Sequence, residues 1–480
     1  MLQQIQSETL KALFKRLSFL GGNGIAITNP ATEQELIRLK PSTLGELDAQ
    51  IEACEAAQKE WAKYSAKARS VSLKKWYQLL MEYMEDIAHI ITLEQGKPLA
   101  ESRSEVAYGA SFVEWFAEEA KRAYGEVIPT PSSDRRLSTI KQPVGVCAAI
   151  TPWNFPMAMI TRKAAPALAA GCGMIIKPSE LTPLTALAVV ELAYQAGIPK
   201  ALLSTVVSEQ SAEFGLVLSS DSRIKKISFT GSTRVGKILM KQASETVKNV
   251  SMELGGNAPF IVFDDADLEA AADGLIASKF RNTGQTCVCT NRLYVHRDVK
   301  EAFLTTLLNK TRQLKVGNGL DAGTLLGPLI NMTSKQRLES LIEQATRDGA
   351  VLLNQPQSLS GRFMEPVILD NVEQSMAIVQ QELFGPVLPV ISFEDDDQVI
   401  EMANDTEYGL AGYFYTDSLK RIIKFSECLE YGMVGINEGI ISTEVAPFGG
   451  MKESGIGREG ARQGLSEYLE SKYICLGGID

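Results

Sequence analysis

The chain has 480 residues and a formal net charge of −10, with 45% apolar and 22% charged residues. This length exceeds what one hydrophobic core usually holds, and it predicts about three domains of ordinary globular composition. The acidic balance and the lack of a long Lys/Arg run argue against nucleic acid as a partner. No stretch approaches the roughly 18 consecutive apolar residues of a membrane span, so no membrane association is expected.

Cysteine and histidine usage limits the possible chemistry. The seven cysteines are scattered, and an odd, scattered set without a signal peptide favours a reducing compartment, here the cytoplasm. His89 and His296 are the only histidines, and neither lies in a motif. A Cys–His triad or a zinc site is therefore not expected, no metal is predicted, and a carboxylate is the expected general base.

The first part of the chain is typical of helices. An amphipathic N-terminal helix packed on the body is predicted from Leu10, Leu13, Phe14 and Leu17. Thr43 and Glu46 fit a capping box that starts the next helix. A further helical period runs from Trp76 to Ile91 and stops before Gly96 and Pro98. Residues 123–143 are instead short, extended and interrupted by proline, as in an excursion from a domain.

From Val144 onward, strand-like and helical runs alternate, which predicts mainly parallel sheets with helices on their faces. In such sheets ligands bind beyond the carboxyl ends of the strands. The strand-like runs are Val144–Ile150, Met174–Lys177, Leu202–Val207, Ile224–Phe229, Val247–Met252, Pro259–Phe263, Arg292–Val295, Val387–Phe393, Gly412–Tyr415, Met433–Asn437 and Tyr468–Leu476, and the helical ones include Thr182–Gln195 and Ser232–Ala243.

The segment from Asn282 to Cys289 is the sharpest chemical signal. Glycine and small polar residues surround Cys287, which allows the backbone to turn and present a thiol. A structural cysteine usually lies among aliphatic residues, as Cys147 does. From these residues alone, a reactive and a structural Cys287 are both possible.

Each of three further segments has both a functional interpretation and an ordinary structural one. Glu253 ends an apolar strand before two glycines, as a buried general base or a solvated residue would. Asn154 lies in a proline-ordered loop after a strand, where its amide could donate to an oxyanion. Gly231 to Gly236 opens a helix whose N-terminus could hold a phosphate, although the full dinucleotide fingerprint is missing.

Taken together, the segments resemble the aldehyde dehydrogenase family over nearly the whole chain. The matching motifs follow the family order and are Pro152–Pro156, Lys177-Pro178, Phe229–Ser232, Glu253–Gly256, Gly284–Cys287, Glu382–Val387 and Pro447–Gly450. The resemblance implies an α/β fold with a Rossmann-like NAD-binding domain (1–122 and 144–253), an α/β catalytic domain (254–447) and a small β oligomerisation arm (123–143 and 466–480).

The resemblance also implies a role for each matching residue. Cys287 is the expected nucleophile, Asn154 and the Cys287 N–H hold the oxyanion, hydride passes to the nicotinamide to leave a thioester, and Glu253 activates the hydrolytic water. The implied cofactor contacts are Thr151, Pro152, Trp153, Lys177, Ser179, Glu180, Gly231, Ser232, Leu254, Glu382 and Phe384. Residues 123–143 are expected to pair with the C-terminal strand of a neighbouring subunit in a homodimer or homotetramer.

Within the family, the closest resemblance is to succinate-semialdehyde dehydrogenases. Arg162, Arg281 and Ser442 match that group's ligands for the substrate carboxylate. Two guanidinium groups can bind one carboxylate bidentately and so fix the far end of an ω-oxo acid, although scaffold arginines are the ordinary alternative. Glutarate semialdehyde is one methylene longer, a difference worth only about 1–3 kcal/mol, so it and a broad specificity stay open.

Two finer expectations concern Glu180 and Cys289. Glu180 lies three residues after Lys177, and in this family that position is near the adenosine 2′ hydroxyl. Its carboxylate would accept hydrogen bonds from the ribose hydroxyls and would repel a 2′-phosphate. NAD is therefore expected over NADP. Cys289 is a redox candidate, because a disulfide with Cys287 would inactivate the enzyme reversibly, and a packed thiol is the alternative.

Two other classes of protein would share part of this pattern. A cysteine-dependent esterase needs Cys287 and Glu253 but leaves Lys177 and Glu382 without a role. A scaffold protein on this fold needs neither the nucleophile nor the base, and both are present.

Overall fold

The computed structural model describes residues 1, 3–19, 21–22 and 24–479. Positions 2, 20, 23 and 480 fall within the predicted domain ranges and lie outside the described residues.

The N-terminal region is helical around one small hairpin. α1 buries Leu10, Leu13 and Phe14, as predicted. The hairpin of β1 and β2 was not predicted, because alternation over four or five residues does not stand out beside helical periods. The elements are α1 (Glu8–Leu17), β1 (Ile25–Thr28), β2 (Glu35–Leu39), α2 (Leu44–Trp61), α3 (Ala66–Glu82), α4 (Met84–Gln95) and α5 (Leu99–Glu119), followed by the 3₁₀ turn Ala120–Arg122.

Local hydrogen bonds and one backbone break set the limits of these helices. Thr43 Oγ1 accepts from Glu46 N at 3.1 Å and the Glu46 carboxylate accepts from Thr43 N at 2.8 Å, which confirms the predicted capping box of α2. The single helix predicted from Trp76 to Ile91 was wrong, because α3 and α4 meet at Tyr83, whose ψ of 19° is not helical. This break lets the apolar residues on both sides reach one core.

The first sheet is built by alternating strands and helices, as predicted. Five of its strands are parallel, in the order β9-β8-β5-β6-β7, and a short antiparallel strand from the C-terminal segment is added beside β9. The region contains β3 (Glu126–Ile128), β4 (Arg135–Pro143), β5 (Val146–Ile150), α6 (Ala158–Ala170), β6 (Gly173–Lys177), α7 (Pro183–Gln195), β7 (Leu203–Thr205), α8 (Ser211–Ser220), β8 (Ile224–Thr230), α9 (Thr233–Ala243), a 3₁₀ turn (Ser244–Thr246) and β9 (Asn249–Glu253).

The second sheet has seven strands in the order β12-β13-β14-β11-β10-β15-β16, parallel except for β12. Its elements are β10 (Ala258–Val262), α10 (Leu268–Phe280), a 3₁₀ turn (Arg281–Gly284), β11 (Thr290–His296), α11 (Lys300–Thr311), α12 (Met332–Arg347), β12 (Val351–Leu352), β13 (Val367–Asp370), α13 (Ala377–Gln380), β14 (Val387–Phe393), α14 (Asp396–Asn404), β15 (Ala411–Tyr415), α15 (Leu419–Cys428) and β16 (Met433–Ile436). Both sheets together confirm the predicted α/β class.

The C-terminal segment returns to the first sheet and then to the arm. A 3₁₀ turn (Lys452–Ser454) leads to β17 (Gly455–Ile456), which pairs antiparallel with β9, and α16 (Ala461–Ser466) leads to β18 (Leu469–Gly477). β18, β4 and β3 form a separate antiparallel sheet.

The pairing partner of this arm differs from the prediction. β4 pairs with β18 of its own chain, from Leu469↔Pro143 to Gly477↔Arg135, rather than with a neighbouring subunit. The two strands have equal lengths, and pairing within one chain avoids the entropy that is lost when two molecules associate. β18 is left at the edge of the arm sheet.

The sheets bring the chemical motifs together through the direction of their strands. β5, β6, β8 and β9 are parallel, so their carboxyl ends share one edge, where the Thr151–Phe155 loop, Lys177, Ser232 and Glu253 lie. The turn between α10 and β11 carries Cys287, and the turn before β14 carries Glu382 and Phe384. No helix among the described residues is long and apolar enough to cross a membrane.

Candidate active site

Asn154 is held by the loop between β5 and α6. The residue is buried, and its Nδ2 donates to Gln285 O at 3.1 Å, two residues before Cys287. Within the described structure its Oδ1 has no hydrogen-bond partner. The side-chain amide therefore already lies against the backbone of the cysteine loop, where an oxyanion donor is required.

An unusual backbone conformation presents Cys287. Asn282, Thr283 and Gly284 have φ of +50°, +57° and +76° in succession. A side chain on Gly284 would meet the backbone of Gly385 at 2.3 Å, so only glycine fits there. This strained turn ends α10 and sets Cys287, half-buried, against Gly256, whose missing side chain leaves room for the Cys287 carbonyl.

Cys287 opens onto a cleft of about 220 Å³ between the two sheets. The rings of Trp153 and Phe384 meet edge to face across it, with centroids 5.5 Å apart. The structure thus brings together most of the residues that the sequence assigned to catalysis and cofactor binding. The cleft is lined by Pro152, Trp153, Asn154, Thr230, Gly231, Ser232, Leu254, Gly255, Cys287, Glu382 and Phe384.

Glu253 ends β9 beneath this cleft and is buried. Among the described residues, its Oε2 has no hydrogen-bond partner. Burial, reinforced by the negative charge of Glu459, raises the pKa of Glu253 well above that of an ordinary carboxyl group. Burial likewise raises the pKa of the Cys287 thiol to about 12, with the charges of Glu382 and Glu253 adding to the effect.

The rest of the charge around Glu253 comes from a buried cluster that was not predicted. Glu459 pairs with both Arg162 and Lys163, and Lys163 Nζ also donates to Thr230 Oγ1 at 2.7 Å. Nothing in the sequence marks Glu459, because it comes to α6 only through the return of the chain after β17. These cations partly offset the desolvation of Glu253.

The buried hydroxyl of Tyr108 on α5 has no hydrogen-bond partner among the described residues. Burial raises its pKa, and the positive charges of Arg162 and Arg281 partly offset that rise. Arg162 stacks on Phe448 at 4.3 Å, and Arg281 lies 5.4 Å from the ring centroid of Phe155. Ser442 is half-buried in the segment after β16. Nothing in the sequence indicated a functional role for Tyr108, whose position fits only the helical period around it.

The residues expected to hold a cofactor occupy the strand ends. Lys177 is buried with its Nζ 3.5 Å from Pro178 O and 3.8 Å from the Glu180 carboxylate. Ser232 caps α9, accepting from Val235 N at 3.4 Å. Glu382 accepts from Gly256 N at 2.9 Å, and burial raises the pKa of its carboxyl group to about 7.

Two more assigned residues, Thr151 and Ser179, lie at the same edge. Thr151 directly follows β5 and is buried, with its backbone N–H donating to Lys177 O at 3.1 Å. Ser179 Oγ accepts from Leu181 N at 3.2 Å and shapes the turn after β6. Both residues therefore order the loops that border the cleft.

Cys289 lies two residues after Cys287 and is buried. Its Sγ donates to Gly284 O at 3.2 Å, which packs the thiol under the strained turn. The described cysteines, Cys287 and Cys289 included, are free thiols.

Comparisons with known proteins agree with this geometry. A sequence profile of the aldehyde dehydrogenase family matches residues 20–474. The glutarate-semialdehyde dehydrogenase of Pseudomonas putida is 51% identical over 472 residues, covering 97% of this chain and 98% of its own length. The NADP(+) succinate-semialdehyde dehydrogenase of Escherichia coli is 50% identical over 458 residues, covering 95% of each chain. The crystal structure of succinate-semialdehyde dehydrogenase from Burkholderia pseudomallei matches with a TM-score of 0.95 at 47% identity, covering 98% of this chain and 99% of that one. With the motifs in family order and this match over nearly the whole chain, the protein belongs to the aldehyde dehydrogenase family.

Proposed function

We propose that this enzyme oxidises succinate semialdehyde to succinate with NAD(P) as the hydride acceptor. The substrate proposal depends on Arg162 and Arg281. The Arg281 guanidinium lies 5.4 Å from the ring centroid of Phe155, the neighbour of Asn154, and Arg162 Nη2 is buried with no hydrogen-bond partner among the described residues. A short ω-oxo acid would place its aldehyde at Cys287 and its carboxylate between the two guanidinium groups. The names of the relatives from Escherichia coli and Burkholderia pseudomallei support this substrate class.

The chemistry follows from the side chains around the cysteine. The Cys287 thiolate attacks the aldehyde carbon to give a thiohemiacetal, and its oxyanion is held by the Asn154 amide and the Cys287 N–H. Loss of hydride leaves a thioester on Cys287. Glu253, as a carboxylate, takes a proton from water, which attacks the thioester and releases succinate and the thiol.

The polar groups in and beside the cleft are of the kinds that bind a dinucleotide. Lys177 has spare donor capacity for ribose hydroxyls, the amides at the start of α9 suit a pyrophosphate, and Glu382 can accept from the nicotinamide ribose. When bound, the cofactor would accept the hydride. An esterase would need only Cys287 and Glu253, and Lys177 and Glu382 would then have no role.

Glutarate semialdehyde is a second candidate substrate, because the Pseudomonas putida relative bears that name. One added methylene changes binding by only about 1–3 kcal/mol in such a pocket. Both ω-oxo acids share the carboxylate on which the proposal depends.

Removing the Arg281 guanidinium tests the substrate proposal. With NAD, Arg281→Ala should lower kcat/KM for succinate and glutarate semialdehydes about 10- to 100-fold, the value of a charge-assisted hydrogen bond, and change a neutral aldehyde of similar length far less. The measurement is NADH formation under initial-rate conditions. Arg312→Ala is the matched control, since Arg312 bonds only to nearby Asn309 on the surface among the described residues. Equal turnover of the neutral aldehyde by the wild type would refute the assignment.

For the cofactor we propose NAD over NADP. Glu180 lies 3.8 Å from Lys177 Nζ, and its carboxylate accepts from Ser211 Oγ at 3.4 Å. A carboxylate there would accept hydrogen bonds from the ribose hydroxyls and would repel a 2′-phosphate. The Escherichia coli relative is named for NADP(+), so the proposal depends on Glu180 of this chain.

Exchanging the Glu180 carboxylate tests this choice. The wild type should give a kcat/KM for NAD at least about tenfold above that for NADP. Glu180→Gln should lower this ratio by raising kcat/KM for NADP, because it removes the repulsion between the carboxylate and the 2′-phosphate. Glu213→Gln, an exposed change on the neighbouring α8, serves as the control. A tenfold preference of the wild type for NADP would overturn the proposal.

The raised pKa of Cys287 predicts that the nucleophile depends on a base. Above its own raised pKa, Glu253 is a carboxylate and can take the thiol proton; below that pKa it is neutral and cannot. Alkylation of Cys287 by iodoacetamide should therefore speed up with rising pH, and Glu253→Gln should slow it and cut turnover about 10²- to 10⁴-fold. Peptide mass mapping identifies the labelled thiol, with Cys287→Ala as the blank. A variant that alkylates and turns over like the wild type would contradict this role.

We also propose a homodimer or homotetramer. β18 is the edge of the arm sheet and exposes Tyr473, Ile474 and Leu476, and β3 on the other edge exposes Val127. Apolar edge strands of this kind are covered in stable proteins, and a second copy of the chain would cover them.

We also propose a cytoplasmic location, because the described cysteines are free thiols and a reducing compartment keeps thiols in this state.

Cys289 is proposed as the resolving thiol of a redox switch. Peroxide would oxidise Cys287 and Cys289 to a disulfide with release of two waters, once the loop moves Cys289 away from Gly284 O. Peroxide should then inactivate the wild type reversibly, with recovery by dithiothreitol. In Cys289→Ala recovery should be lost, because Cys287 would oxidise further. Sensitivity and recovery that are unchanged in Cys289→Ala would refute the switch.

A further inference from the structure

A fully buried ion pair lies behind the loop that carries Asn154. Lys97 and Glu105 are both completely inaccessible, and Lys97 Nζ is 2.6 Å from Glu105 Oε2. Lys97 belongs to the short connection between α4 and α5, and Glu105 to the second turn of α5. Neither residue lines the cleft. A pair buried this deeply is a weak source of stability, because the desolvation of both charges offsets their attraction.

The contacts of the pair show what it holds. Lys97 Nζ donates to Asn154 O at 2.7 Å and lies 3.9 Å from the ring centroid of Phe155. Glu105 Oε1 accepts from Met157 N at 2.9 Å and from Ala158 N at 3.4 Å, at the start of α6. One ion pair thus hydrogen-bonds to the loop at both ends, at the carbonyl of Asn154 and at the first amides of the following helix.

The last residue of α4 reaches the loop that carries Cys287. Gln95 Nε2 donates to Asn282 Oδ1 at 2.9 Å. Asn282 Nδ2 in turn donates to Asn154 O at 3.1 Å and to Gln285 O at 3.2 Å. The carbonyl of Asn154 therefore receives two donors, Lys97 and Asn282, which fix the peptide on which the catalytic amide is mounted.

The Lys97 loop itself has little freedom to move. Gly96 has φ +99°, and a side chain there would meet Pro30 and Pro328 at 2.8 Å. Lys97 N donates to Gln95 Oε1 at 2.9 Å, and Leu99 N donates to Gly319 O at 2.9 Å. The ammonium group is consequently presented from a rigid base, as a positioning group requires.

We propose that Lys97, paired with Glu105, is a positioning residue that aims the Asn154 amide at the developing oxyanion. The inference rests on the proposed role of Asn154. Lys97 acts through Asn154 and does not touch the substrate. A displacement of the amide by about 1 Å is enough to lower the rate of such a reaction about 100-fold.

The test is a double-mutant cycle with Asn154. Because Lys97→Met alone would leave Glu105 as an unpaired buried charge, the variant used is Lys97→Met/Glu105→Gln, which keeps the volume and an acceptor for Met157 N. In the otherwise native enzyme we expect kcat/KM for succinate semialdehyde to fall about 10- to 100-fold, mainly in kcat, with the Kd for NAD unchanged. In the Asn154→Ala background the same pair of changes should lower kcat/KM less than about twofold, because its effect passes through the amide that is already missing.

A remote lysine provides the matched control. Lys335 on α12 is buried, and its Nζ also donates to two backbone carbonyls, Leu359 O at 2.7 Å and Gly361 O at 2.9 Å. Lys335→Met should leave kcat/KM within about twofold of the wild type. Thermal unfolding of all variants reports whether each one folds.

Each other outcome overturns the proposal. Equal fold-losses for Lys97→Met/Glu105→Gln in the native and Asn154→Ala backgrounds would show a general structural effect. A loss no larger than that of Lys335→Met would show that the pair does not position the site. If Asn154→Ala itself left kcat/KM unchanged, the oxyanion role of Asn154 would fail, and the positioning role of Lys97 with it. If Lys97→Met/Glu105→Gln did not fold, the pair would be a stability element and the proposal would be wrong.

Discussion

The side-chain amide of Asn282 joins the two loops of the candidate site, and the relative position of those loops depends on it. It donates to Asn154 O and to Gln285 O, so one planar group bridges the loop after β5 and the loop before β11. To reach both carbonyls, Asn282 itself adopts φ +50° and is followed by two more left-handed residues. Such backbone costs about 1–3 kcal/mol per non-glycine residue, and it persists only where surrounding hydrogen bonds determine it.

Those surrounding bonds come from distant parts of the chain. Asn282 N donates to Glu101 Oε2 at 2.8 Å, and Gln95 holds its side-chain oxygen. Gln285 Oε1 accepts from Ile330 N at 2.9 Å. The strained turn is thus supported by α4, α5 and the segment before α12. The turn that carries Cys287 is therefore held by contacts from distant parts of the chain as well as by hydrogen bonds within the turn.

Electrostatics at this junction favours the neutral forms of Glu253 and Cys287. Glu253 is buried next to Glu459, and both effects raise its pKa. Glu459, by contrast, has the two cations Arg162 and Lys163 beside it, and they outweigh its burial so that its pKa is lowered. Two carboxyl groups in one buried region are therefore pushed apart in pKa, which is the arrangement that gives one of them an acid–base role and the other a fixed charge.

The sequence predicted what local pattern and strand direction can decide. The alternation after Val144 gave the parallel sheets, with β14 at the predicted bounds Val387–Phe393, since a buried parallel strand is a continuous apolar run. Parallel strands share a carboxyl edge, so Asn154, Lys177, Ser232 and Glu253 had to lie together. The motifs likewise marked Cys287, because small residues must surround a turn that presents a thiol.

Contacts between segments far apart in sequence were decided only by the tertiary structure. Glu459 approaches Arg162 and Lys163 from nearly 300 positions away, and Lys97 reaches Asn154 across the core. The partner of β4 and the break at Tyr83 are of the same kind, because each depends on which surface is available for packing once the other elements are in place. A sequence determines the local geometry that its side chains and strand periods impose. The pairing of buried charges follows from the packed three-dimensional arrangement, since it is burial that makes an unpaired charge costly.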